Sequence, residues 1–216
     1  MKNKKPSGIA LITGCLLLAF TMALHPSGGN LAHLQKIALI NAVAHSVGLT
    51  GVLVLCFGFI TLKNNVEEYP SLSLAALIIT IAGLSAGFLA AIVNGIALPI
   101  FINQFTDENS VSWSTAKVII GYGTSLNHAL DFVMIGAINI AVLFWSILLY
   151  KSKLISRYIN YLGIFIVVLF VIFLFSGFLF VDLHGFRLFI LGFILWLFVL
   201  GSSLLKTKSD SLNNLK

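Results

Sequence analysis

The chain of 216 residues is 59% hydrophobic and only 9% charged, with a mean hydropathy of +1.04 and a formal net charge of +6. A soluble domain carries roughly 25% charged residues, and no water-soluble fold could bury this much apolar surface. The class that remains is an all-α integral membrane protein, because segments such as YLGIFIVVLFVIFLFSGFLF are apolar at every position and lack the alternation that a membrane β-barrel needs.

Three lysines stand in the first five residues, ahead of an apolar run over residues 9–24. Ile12-Thr13-Gly14-Cys15 has the order of a bacterial lipidation box, but only four apolar residues precede the cysteine. A basic start and an apolar region also fit a cleaved secretory signal; a retained first helix is the preferred reading. Further spans are expected at about 32–62, 72–102, 125–150, 158–181 and 186–205, each able to cross a hydrocarbon core of roughly 30 Å. Residues 1–205 then form one six-helix domain, and residues 206–216 a polar cytoplasmic tail expected to be disordered. The second and third spans would each be roughly 46 Å long, so they tilt or project.

Basic residues are retained on the cytoplasmic side of short loops. With the N-terminus inside, Lys2, Lys4, Lys5, Lys63, Lys151, Lys153, Arg157, Lys206, Lys208 and Lys216 fall inside. Only Lys36, Lys117 and Arg187 fall outside, so both termini are expected in the cytoplasm of a bacterial plasma (inner) membrane. The charge is then an orientation signal with some attraction for anionic lipid; the bilayer is the partner it implies, and no nucleic acid is needed.

The first inside loop, KNNVEEYPS, ends in a proline suited to a helix start. The longest connection, Asn103 to Thr124, is read as an external loop in which SWSTAKVIIGY could lie as a short surface helix, with Trp113 and Tyr122 at the interface. Its residue Asn109 should be reachable from outside. In the third span Gly83, Gly87, Ala91 and Gly95 recur at every fourth position and make a smooth ridge for close helix packing, or for a homodimer. Asn94 lies beside the ridge, and Pro99 predicts a kink because it removes a backbone donor. Cys15 and Cys56 read as small buried hydrophobes.

All five histidines fall toward the external side: His25 ends the first span, His33 begins the second, His128 begins the fourth, His184 lies in the last external turn, and His45 is deeper. Asn41 and His45 share one face of the second helix; His128 and Asp131 share one face of the fourth, with Asn139 nearly in line below. An ionisable residue inside a span is costly unless it meets a cavity or a partner, so His45 and Asp131 are expected to face each other.

The expected site is therefore an outward-facing pocket of His45, His128 and Asp131, supported by His33, Asn41, Asn94, Asn139, Asp182 and His184. Its readings are a metal ion held by His45, His128 and Asp131, a single haem, a small polar ligand, a metal-dependent hydrolase centre, or plain helix packing. Di-haem cytochromes need two facing histidine pairs and alkaline-ceramidase-type hydrolases an HxxxH pair, and neither pattern occurs. No internal repeat of a carrier, phosphate-binding glycine loop or nucleophile elbow occurs either.

Overall fold

The computed structural model describes residues 3–25, 29–105 and 111–206. Asn109, the tail over 207–216, and Lys2, Lys208 and Lys216 lie outside the described residues. All regular structure among them is helical, and six helices are long and apolar enough to cross a membrane: α1 Lys5–Leu24, α2 Leu31–Lys63, α3 Pro70–Ile102, α4 Val111–Ser152, α5 Arg157–Phe175 and α6 Leu183–Lys206.

Each helix packs on its neighbours in sequence, and α1 also packs on α6, so the six close into a ring whose weakest seam joins α5 to α6. Glycines set the tightest of these contacts. A Cβ on Gly14 would meet the Leu55 side chain at 2.6 Å, while Gly51 faces Leu17 and Gly58 faces Leu11. The glycine-rich stretch from Val47 to Gly58 is thus the face that α2 turns to α1. Between neighbouring helices, Trp145 of α4 donates to the Thr80 hydroxyl of α3 at 2.9 Å, and Ser7 of α1 donates to Thr61 of α2 at 3.0 Å.

One end of the bundle holds the N-terminal segment and the α4–α5 loop. There the Lys4 ammonium donates to the Leu154 carbonyl at 3.3 Å, and partial burial pulls its pKa below the ordinary lysine value. The opposite, histidine end is uneven. The His25 ring, at the end of α1, packs on the His45 ring with centroids 4.9 Å apart, so α1 stops level with His45. From that level α2 runs on to Leu31 and α4 reaches back to Val111, or roughly 20 Å further each at 1.5 Å per residue. Together with the end of α3 they form a crest above the point where α1 finishes.

The crest replaces much of the external loop expected from Asn103 to Thr124, since α4 is continuous from Val111. The helix runs through Gly121 and Gly123, since a glycine within a helix is tolerated at a cost of about 1 kcal/mol. Packing outweighs that cost: Trp113 and Ala116 are buried in a satellite core with Leu31 and Ile102. Trp113 accordingly packs on Phe105 instead of standing at an interface, whereas Tyr122 is exposed.

The fifth helix ends at Phe175, earlier than Val181. Gly177 adopts φ +82°, the Gly177 amide bonds to Leu174 and the Phe178 amide reaches back to Phe173, a glycine-terminated Schellman end invisible in an unbroken apolar run. Gly177→Ala is expected to lower stability by about 1 kcal/mol, because a Cβ disfavours this left-handed conformation; thermal unfolding in detergent measures it.

Within α3, residues Val93–Ala97 form a π-helical turn between two α-helical stretches. Such turns release backbone groups from the regular ladder. The Leu98 amide bonds to the Val93 carbonyl, five residues back. Asn94 has therefore lost its α-helical donor, and its π-register donor would be Pro99, which has no N–H. The Asn41 side-chain amide supplies the missing bond to the Asn94 carbonyl at 2.8 Å.

Candidate functional site: a polar cavity at the histidine end

A cavity of about 330 Å³ lies where α1 and α6 meet the crest helices. Its polar lining includes His25, His45, Asn127, His128, Asp131 and Asp182, while Leu18, Met22, Met134 and Ile190 are among its apolar walls. The pocket expected between the second and fourth helices thus exists as a geometric feature, but α1, α3 and α6 also close it.

His45 is buried. Its Nδ1 lies 2.9 Å from the Asn41 carbonyl, one turn earlier on α2. A carbonyl can only accept, so Nδ1 carries the proton and Nε2 of the neutral ring is an acceptor. Gly95 makes room for this side chain, since a Cβ there would overlap the Cβ and Cγ of His45. The π-turn, Gly95 and Asn41 together therefore fix His45 against α3.

Asp131 is buried on α4, and its Oδ2 accepts from Asn127 Nδ2 at 2.7 Å. The same Asn127 keeps its Oδ1 buried without a hydrogen-bond partner. His45 and Asp131 were expected to pair with each other; each instead bonds within its own helix. Thr21 of α1 is the one hydroxyl on the lining among the described residues, and it donates to the Leu17 carbonyl at 2.9 Å.

Asp182 lines the cavity and also caps α6, accepting from the Gly185 amide at 2.7 Å. Beside it Arg187 donates through Nη2 to the His25 carbonyl at 2.9 Å, tying the end of α1 to α6. Arg187 is not on the lining, which among the described residues contains no lysine or arginine.

The other expected members lie elsewhere. His33 is exposed at the start of α2, where its amide bonds to the Asn30 side chain that caps the helix. His184 is exposed on the first turn of α6. Asn139 is buried and donates to the Ile135 carbonyl, lining a separate apolar cavity of about 250 Å³ between α4, α5 and α6. Sequence reasoning missed His25 and Asn127 as members. Asn127 stands four residues before Asp131, a helical spacing that could have found it.

Among the described residues no group of three or more His, Cys, Asp or Glu side chains is placed to hold a metal ion. The trio His45, His128 and Asp131 shares a cavity without forming such a group. At about 330 Å³ the space sits at the small end of ligand pockets, which span roughly 300–1,000 Å³, and suits a molecule of few heavy atoms better than a haem.

The ridge of α3 is occupied within the chain. Gly83 faces Ile138 and Gly87 faces Met134 of α4, Gly95 faces His45 of α2, and Ala91 lines the cavity. No protein-family model, curated protein or solved structure matches the chain.

Proposed function

We propose that the chain is a multi-pass protein of the bacterial plasma membrane, with both termini cytoplasmic and α1 retained, whose outward-facing cavity binds a small polar ligand. The observation that carries this reading is one cavity collecting three histidines and two aspartates from α1, α2, α4 and the start of α6. His45 and Asp131 are buried within apolar spans, where ionisable side chains are expensive and simple packing would place apolar groups, while His128 and Asp182 are exposed at the rim. The bias of basic residues toward one end supports the orientation. The ring supports retention of α1, because this helix joins α2 to α6. Binding is favoured over nucleophilic chemistry because the Thr21 hydroxyl proton is already committed to a backbone carbonyl.

The test is Ala91→Cys in a Cys15→Ala, Cys56→Ala background. A membrane-impermeant charged thiol reagent applied to intact cells is expected to label it, whereas Ala86→Cys, on the buried side of α3, stays unlabelled. Labelling of Ala91→Cys only after permeabilisation would overturn the outward-facing assignment.

A further inference from the structure

We infer that the ligand is a small organic cation with N–H donors, a protonated primary amine of a few carbon atoms, held in a cage of hydrogen-bond acceptors. This rests on the binding reading above and adds the ligand's chemistry to it.

Several of the donors in the cavity are already spent. His45 commits Nδ1–H to the Asn41 carbonyl and leaves Nε2 as an acceptor. Asn127 commits Nδ2 to Asp131 and leaves Oδ1 buried and unpartnered, in a residue only 9% exposed. Thr21 commits its hydroxyl proton to Leu17. Asp131 and Asp182 are carboxylates and accept only, when ionised. His45, Asn127, Thr21 and the two carboxylates thus present acceptors, whereas Asn94, His25 and His128, the remaining polar groups on the lining, also carry N–H groups.

A buried acceptor without a donor is costly, so an arrangement that leaves Oδ1 of Asn127 unpartnered calls for a donor from the ligand. An anion would meet two carboxylates and, among the described residues, no lysine or arginine. Hard metal ions prefer all-oxygen shells, and imidazole-binding metals want a multi-ligand group that the described residues do not provide. An ammonium group offers three donors to His45, Asn127 and Asp131, and its alkyl part meets Met22, Met134 and Ile190.

The experiment measures the unfolding temperature of the detergent-purified full chain while titrating methylammonium, ethylammonium and butylammonium chloride, with sodium chloride and sodium acetate at matched ionic strength. At least one of the amines is expected to give a saturable rise, and neither sodium salt does. Asn127→Leu removes both the unpartnered oxygen and the donor to Asp131, so it lowers the unfolding temperature of the ligand-free protein, and it weakens the apparent affinity for that amine at least tenfold; Asp131→Asn also weakens it at least tenfold. If no amine stabilises the parent, or Asn127→Leu binds the amine as tightly as the parent, the proposal is overturned. Saturable stabilisation by acetate alone also overturns it while leaving the binding cavity intact, and the Ala91→Cys labelling separately decides whether that cavity opens outward.

Discussion

Gly95→Ala is expected to lower stability by about 1–3 kcal/mol and to abolish the ammonium response, whereas Gly87→Ala on the same ridge costs less and preserves it. Both glycines face neighbouring helices, but the atoms they face differ. A Cβ on Gly95 would overlap the Cβ and Cγ of His45, which sit close to the α2 backbone and cannot swing aside without moving the helix. A Cβ on Gly87 would meet the Met134 sulfur at 2.5 Å, the far end of an unbranched side chain with several rotamers. Relief at position 87 therefore needs one rotamer change, while relief at position 95 needs α2 and α3 to separate beside the cavity. Thermal unfolding of the two variants, followed by methylammonium titration, compares them directly. Equal cost at the two positions would show that α3 does not clasp His45.

The helix count was legible because six apolar runs dominate the composition, and the cavity was legible because ionisable residues in such runs are few. His45, His128, Asp131, Asn94 and Asp182 all reach it, as the one-sided placement of polar residues suggested. Three features were not legible, for different physical reasons. The crest escaped because the burial of Trp113 and Ala116 that carries the helix through two glycines depends on α2 and α3. The end of α5 escaped because Gly177 interrupts an apolar run without changing its hydropathy. The pairing within the site escaped because spacing shows which residues share a face, not where their protons go: Asp131 turned to Asn127 and His45 to a backbone carbonyl. The asparagines therefore carry information that the histidines and aspartates alone do not.

Asn41 shows this most directly, and a double-mutant cycle with Pro99 is expected to expose its role. Asn41→Leu removes the amide that serves the Asn94 carbonyl and should cost about 1–2 kcal/mol, the penalty of leaving a part-buried acceptor unpaired. The His45 bond survives this change, because it uses the backbone oxygen of residue 41. Pro99→Ala restores a backbone N–H. In the π-register that donor reaches the Asn94 carbonyl; if the turn relaxes to an α-helix, the Leu98 amide returns to it instead. Either way the acceptor regains a main-chain partner, so Asn41→Leu should cost less in the Pro99→Ala background, with a coupling of about 1–2 kcal/mol. Additive effects would mean that the Asn94 carbonyl does not depend on Asn41. Coupling would mean that Pro99 opens the helix ladder, Asn41 closes it from α2, and the two together hold the π-turn that sets Gly95 against His45.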